Sequence, residues 1–179
     1  MTAPGRKPVA RATLDPAPDA TLRRFSGYLI KRAESVVRSD VNAALAPLGL
    51  RMFSFSALAV IVDTPGLRQA HLADALAVER PNIVAVLDDL QSRGLVSRER
   101  APDDKRAYAL EATTAGHELY RMALAAVTEH EERITKGLSE KDRQALIRAL
   151  SVLVETGLAE TGPRARGEED EDEDEDEDD

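Results

Sequence analysis

Residues 67–113 read LRQAHLADALAVERPNIVAVLDDLQSRGLVSRERAPDDKRAYALEAT, and the fold turns on how this stretch is divided. Leu67, Ala70, Leu72, Ala73 and Leu76 recur at helical spacing, which predicts a short amphipathic helix over about 67–76. Ala77, Val78 and Glu79 form a tight link, and Pro81 stands where a first helical turn has no use for its missing N–H. The next helix therefore covers about Arg80–Arg93, with Ile83, Leu87 and Leu90 inward, joined by Val84 and Val86, and Gly94 as a left-handed stop. Two short helices at this separation are a helix-turn-helix candidate. Val96–Arg100 and Ala107–Ala112 then alternate in part, as strands do, across a loop of turn-forming and charged residues, Ala101 to Arg106. This is a β-hairpin wing.

Longer helices flank the segment. Leu22, Phe25, Leu29, Ala33, Val36, Val37, Val41 and Leu45 mark one helix from about Thr21, which Pro47 and Gly49 end, and Phe53 to Asp63 is a second. Leu119, Met122, Ala123, Ala126, Val127, Ile134 and Leu138 mark a third long helix. Ser139-Glu140-Lys141-Asp142 resembles a capping box opening a last one, striped with Leu146, Ile147, Leu150, Leu153, Val154 and Leu158. The predicted fold is mainly α with a small β-hairpin wing, a winged helix-turn-helix between N- and C-terminal dimerisation helices. Its parts are an arm over residues 1–20, a domain over 21–160 with a DNA-binding core at 66–113, and a disordered acidic tail over 161–179.

Charge and composition narrow the function. The 179 residues carry 24 Lys plus Arg and 33 Asp plus Glu, a net charge of -9, which argues at first against a nucleic-acid partner. The twelve residues from Glu168 to Asp179 are all carboxylates, however, and without them 24 basic residues face 21 acidic ones. The chain has no cysteine, so it has no disulfides, thiol nucleophile or thiolate metal site. No apolar run approaches the roughly 18 residues of a membrane helix, and the first twenty residues lack a secretory apolar core. A cytoplasmic protein without a membrane partner is expected. His71, His117 and His130 are scattered, and no phosphate loop or nucleophile elbow is present, so neither a metal, a cofactor nor an enzyme activity is expected.

On these residues the stretch from Leu72 to Gly116 resembles the winged helix-turn-helix of the MarR family of bacterial transcriptional regulators. Leu72-Ala73, then Leu90 with Arg93-Gly94-Leu95-Val96, then Asp104-Lys105-Arg106 carry the resemblance, and Thr113 and Gly116 fall where the family leaves the wing with Leu-Thr-x-x-Gly. Gln91, Ala112 and Ala85 depart from the pattern, where the family often has Glu, Leu and a basic or polar DNA-facing residue. Glu79-Arg80-Pro81-Asn82 also looks like members that control catabolism of aromatic acids, some answering to aryl-CoA thioesters.

The chemistry follows the motif. At the N-terminus of a recognition helix, an amide pairs bidentately with adenine and arginine with guanine, roles that fit Asn82 and Arg80 beside Pro81 and Ala85. The alternative is that Asn82 satisfies a helix-end amide and Arg80 is a solvated charge. Arg106 is the candidate minor-groove probe, as the resemblance also implies. Arg93, Arg98, Arg100 and Lys105 are candidate phosphate contacts, and Asp104 would hold Arg98 or Arg100. Between Gly66 and Thr113 seven basic residues meet eight acidic ones, so DNA binding rests on geometry rather than local charge.

Apolar helices too extensive for one small winged domain predict a two-fold homodimer on a pseudo-palindromic operator in double-stranded DNA. The resemblance implies an effector between the dimerisation helices and the winged domain. Tyr28, Arg32, Arg51, Phe53 and Phe55 are the candidate ligand residues, with aromatic faces and guanidinium groups for an aromatic carboxylate or aryl-CoA thioester. The other reading of these five is core packing and surface ion pairs. A ligand-responsive repressor is thus set against a winged-helix architectural or partner-binding protein with no small effector. The tail is either a solubility element or a tethered DNA mimic that competes with non-specific phosphate contacts.

Overall fold

The computed structural model describes residues 18–101 and 104–161. The chain divides after Asp40 into two compact units. In the first, a 3₁₀ turn at Leu22–Arg24 ends at Phe25, whose backbone is extended, and helix α1 begins at Ser26 and runs to Leu45 across the division. The single helix expected from Thr21 is therefore broken, because the Phe25 amide turns back to the Leu22 carbonyl at 3.0 Å and closes the 3₁₀ turn.

The second unit opens with the end of α1 and a 3₁₀ turn at Ala46–Leu48, which Gly49 terminates at φ 64. Helix α2, Met52–Asp63, then starts on a borrowed cap: Asn42 Oδ1 accepts the Met52 amide at 2.8 Å, satisfying an N–H that the helix itself cannot. Ala57, Leu58 and Ile61 bury α2 at the centre of the core. After Thr64-Pro65-Gly66, the Gly66 amide donates to the Leu110 carbonyl at 3.0 Å and launches a short strand, β1, Leu67–Arg68.

This strand corrects the predicted helix, which begins only at Gln69: α3 is Gln69–Ala75. Two residues are too few to show alternation, and Leu67 also fits the helical stripe, so the sequence carried no strand signal there. The sheet accordingly has three antiparallel strands in the order β1-β3-β2, with Leu67 opposite Leu110 and Arg68 opposite Ala109. Between α3 and the next helix the turn passes through Ala77 at φ 52, a left-handed conformation that a side chain tolerates at a cost of roughly 1 kcal/mol.

Helix α4, Arg80–Ser92, sets Ile83, Leu87 and Leu90 into the core with Leu58, Ile61, Leu72 and Leu110. Val86 packs at the edge, whereas Val84, expected inward, is 40% exposed, because it lies a full 100° around the helix from Ile83. Gly94, at φ 66, stops the helix as expected, with the Leu95 amide returning to the Leu90 carbonyl at 2.9 Å.

Strands β2, Val96–Ala101, and β3, Asp104–Ala112, pair from Val96–Ala112 to Arg100–Tyr108, shift register, and close with Ala101 opposite Asp104. The ladder therefore runs further into the charged segment than alternation indicated. Lys105 and Arg106 lie on β3 rather than in a loop, since backbone hydrogen bonds hold a hairpin without apolar side chains.

Helix α5, Thr114–Ile134, begins on a side-chain cap, with Thr113 Oγ1 accepting the Gly116 amide at 3.0 Å. Helix α6, Glu140–Thr161, begins at the expected box. Ser139 Oγ accepts the Asp142 amide at 3.2 Å and donates to the Asp142 carboxylate at 2.6 Å. Leu146, Ile147, Leu150, Val152, Leu153 and Val154 of α6 all remain exposed. No single helix among the described residues is long and apolar enough to cross a membrane. Residues 1–17 and 162–179, which hold nearly all of the predicted arm and tail, lie outside the described residues.

Candidate nucleic-acid interface

Everything that makes α4 a surface element follows from its three inward residues. With Ile83, Leu87 and Leu90 turned to the core, the opposite side carries Pro81, Ala85 and Asp88, flanked by Arg80 and Val84 on one edge and Asn82 on the other; all six are exposed. No side chain caps the amino terminus of α4; Pro81 has no N–H to satisfy there, and the Asn82 amide donates to the Glu79 carbonyl at 3.1 Å. The structure thus gathers Arg80, Pro81, Asn82 and Ala85 on one accessible patch, as the sequence suggested, and adds Val84.

Two candidate phosphate contacts are engaged elsewhere. Arg93, just past α4, donates from Nη1 to the Gly49 carbonyl at 2.9 Å and from Nη2 to the Leu48 carbonyl at 3.3 Å, with Asp89 at 3.4 Å. It fastens the end of the recognition helix to the turn before α2. Arg98, on β2, bonds Asp88 Oδ1 on α4 from Nη2 at 2.7 Å; the expected pairing of Asp104 with Arg98 or Arg100 rests on the Asp104 side chain, which lies outside the described residues. The Arg98–Asp88 pair ties wing to recognition helix and neutralises Asp88, which with Asp89 is one of two exposed carboxylates on α4 and would otherwise repel phosphate. For Arg100, Asp104, Lys105 and Arg106 the backbone positions on β2 and β3 are described, while their side chains lie outside the described residues.

The ligand candidates fall in three places. Phe53 and Phe55, on α2, are partly buried against the core, and Phe55 stacks on Tyr120 of α5 with ring centroids 6.2 Å apart and planes 12° from parallel. This is a packing contact of the kind worth about 0.5–1.5 kcal/mol beyond buried area. Arg51 is exposed and lines an open cavity of about 420 Å³ with Asn42, Ala46, Gly49 and Leu50.

Tyr28 and Arg32, one turn apart on α1, both bond Asp19 Oδ2, at 2.8 and 2.5 Å, while Arg23 Nε holds Asp19 Oδ1 at 2.8 Å. The Arg23 hydrogen bond first, and the Tyr28 hydroxyl next, keep the Asp19 carboxyl well below the usual carboxylate range. Sequence reasoning missed Asp19, although its i,i+4 spacing to Arg23 is a legible ion-pair signal. Tyr120 and Asn42 carried no local signal, because their partners are distant in sequence. Among the described residues no three His, Asp or Glu side chains gather as a metal site.

A short helix pair whose second member presents polar and apolar side chains outward, followed by a hairpin fastened to it, defines a winged helix-turn-helix DNA-binding protein. Comparison with known proteins gives the same answer. The MarR family model matches residues 49–107. The transcriptional repressor Rv2887 of Mycobacterium tuberculosis is 33% identical over 127 residues, 71% of this chain and 91% of that protein. The chain belongs to the MarR family, whose members are transcription regulators rather than enzymes.

Solved structures agree. The repressor CouR bound to a 23-mer DNA duplex superposes with a TM-score of 0.74 and 36% identity over 77% of this chain and 98% of that one. CouR from Rhodococcus jostii RHA1 with p-coumaroyl-CoA gives 0.68 and 29% over 74% and 93%. Rv2887 with salicylic acid gives 0.60 and 32% over 72% and 96%.

Proposed function

We propose that this protein is a homodimeric repressor that leaves a pseudo-palindromic operator when a small aromatic acid or aryl-CoA thioester binds. The observation that carries the DNA reading is the exposed patch on α4, Arg80 to Ala85, on a fold shared with a repressor solved on a DNA duplex. In the major groove Arg80 and Asn82 donate to base edges, while Pro81, Val84 and Ala85 offer apolar contact to thymine methyl groups. Arg100, Lys105 and Arg106 of the wing reach the backbone and minor groove, and Asp104 serves the wing's own structure. Arg93 and Arg98 hold the reading head rather than the phosphates.

Dimerisation is supported by the apolar residues that one chain leaves in water. Leu146, Ile147, Leu150 and Leu153 share one side of α6, and burying such side chains in a partner stabilises by about 1.5–3 kcal/mol each when complete. Phe25, Leu29 and Val36 of the first unit are exposed as well. The effector class is supported by the p-coumaroyl-CoA bound to CouR and the salicylic acid bound to Rv2887, and by the aromatic and guanidinium groups of Tyr28, Arg32, Arg51, Phe53 and Phe55. Such a regulator works in the cytoplasm, on genes for catabolism of aromatic compounds. Residues 1–20 are an arm, 21–160 the functional domain and 161–179 an acidic tail that serves either solubility or competition with non-specific DNA contacts.

The test is a mobility shift on DNA upstream of the protein's own gene, at physiological salt with bulk competitor DNA. A retained complex that salicylate or p-coumaroyl-CoA dissolves is the expected result. If no site there outcompetes bulk DNA, the repressor reading fails in favour of an architectural winged-helix protein. A specific complex that neither compound dissolves removes the effector class.

A further inference from the structure

Tyr28 and Arg32 already hold a carboxylate, and it belongs to the chain itself. Both donors converge on Asp19 Oδ2, Arg23 Nε takes Oδ1, and the Arg32 guanidinium sits 5.8 Å from the centroid of the Tyr28 ring. The Asp19 side chain is only 18% exposed, although Arg23 and Arg32 around it are 49% and 53% exposed. The grip on Asp19 is reinforced by backbone bonds in the same turn, Arg23 N to Asp19 O and Phe25 N to Leu22 O, both 3.0 Å. A phenol hydroxyl and a guanidinium aimed at one carboxylate oxygen, a second guanidinium, that of Arg23, at the other, and the Tyr28 ring beside them are the groups that an aromatic carboxylic acid needs.

We propose that Asp19 is a built-in competitor in the effector cradle, so that an arene carboxylate binds Tyr28 and Arg32 by displacing the Asp19 side chain and freeing the turn at residues 19–25 from α1. The inference rests on the effector reading above and adds its threshold. Exchanging one carboxylate for another leaves the charge around Arg32 unchanged, so displacement is not opposed by an unpaired cation. Tethering gives Asp19 an effective concentration in the millimolar range or above, which a weak acid must match and a tighter one with further ring contacts exceeds. The apparent affinity of the effector is then lowered by the fraction of molecules in which Asp19 fills the cradle.

The full chain is titrated with salicylate by calorimetry, as wild type, Asp19→Ala, Asp19→Asn, Tyr28→Phe and Arg32→Ala, and hydrogen exchange is followed at residues 19–25. If Asp19 fills the cradle most of the time, its removal tightens salicylate binding by about three- to tenfold. Asp19→Asn, which keeps the shape but loses the charge, falls between wild type and Asp19→Ala, while Tyr28→Phe and Arg32→Ala weaken binding. Salicylate accelerates exchange at Arg23 and Phe25 in the wild type.

Unchanged or weaker binding by Asp19→Ala, with Arg32→Ala still weakening it, overturns the competitor role and leaves the cradle standing. Binding indifferent to Tyr28 and Arg32 overturns both. If neither wild type nor Asp19→Ala binds salicylate, aromatic acids are not the effector and the inference falls with them.

Discussion

The α-carbon of Gly116, in the first turn of α5, packs directly against the carbonyl oxygen of Leu95, the residue that leads into the wing. A Cβ placed on Gly116 would collide with that oxygen. The same carbonyl accepts the Thr113 amide at 3.0 Å, and the Thr113 hydroxyl donates to the Gly94 carbonyl at 2.7 Å. The Thr-x-x-Gly sequence at the exit of the wing is therefore a clasp: threonine ties α5 to the end of the recognition helix, and glycine lets the two backbones touch.

Gly116→Ala forces backbone apart from backbone, and overpacking of this kind costs about 1–3 kcal/mol, with a fall in Tm of roughly 2–4 °C per kcal/mol for a domain of this size. Gly137→Ala is the control, since a Cβ there meets nothing within 4 Å. Thermal melts by circular dichroism should separate the two; equal melting temperatures would mean that the clasp yields without cost.

Arg93→Ala removes the tie from the end of α4 to the Leu48 and Gly49 carbonyls, so operator affinity should fall because the recognition helix is less firmly placed. Arg80→Ala should weaken binding through a contact made to DNA. Specificity distinguishes them, since losing the Arg80 base contact relaxes discrimination at one base pair while a lost support weakens all sites alike; a lost phosphate contact would instead reduce the slope of log K against log salt by about 1. Arg93→Ala is accordingly expected to keep the wild-type slope. A reduced slope in filter binding would return Arg93 to the phosphates.

How much of this could be read in advance depends on the range of the interaction. Ile83, Leu87 and Leu90 declared themselves by spacing, and Pro81 and Gly94 by backbone chemistry that acts within one turn. The anchor of Arg93 lies 44 residues away, on a carbonyl, and nothing in a local pattern distinguishes such an arginine from one facing phosphate. Arg98 is similar: the sequence offered Asp104 as a nearby acid, and the fold brings Asp88 to it from α4, ten residues earlier in the chain. Among the ligand candidates, the Phe55 pairing with Tyr120 needed the α2–α5 packing to be seen. Strand β1 escaped because two residues cannot display a period.

The exposed face of α6 tests the dimer. Leu150 and Leu153 lie on the side shared with Leu146 and Ile147, and a charge placed there costs a single chain little while it must be desolvated in an apolar interface. Leu150→Glu with Leu153→Glu should shift the protein from dimer to monomer in sedimentation velocity, and operator affinity should fall with it, since one module then binds one half-site. A variant that stays dimeric would place the interface elsewhere.

Val84 gives the most discriminating test of the reading head. Its side chain is 40% exposed on a helix whose inward positions are filled, and with Pro81 and Ala85 it forms an apolar surface between the donors Arg80 and Asn82. In a major groove the apolar group that meets such a surface is the thymine methyl. Replacing individual operator thymines with deoxyuridine deletes that methyl and nothing else. At the base facing Val84 the loss should be about 1 kcal/mol, near the transfer free energy of one buried methyl-sized group, or roughly fivefold in Kd. In Val84→Ala the same substitution should have little further effect, because the partner is already gone. The double-mutant cycle isolates this pair from changes in helix placement, which would weaken thymine and deoxyuridine sites alike. If deoxyuridine at every position leaves wild-type affinity intact, the apolar face of α4 reads no methyl and Val84 is only a surface residue.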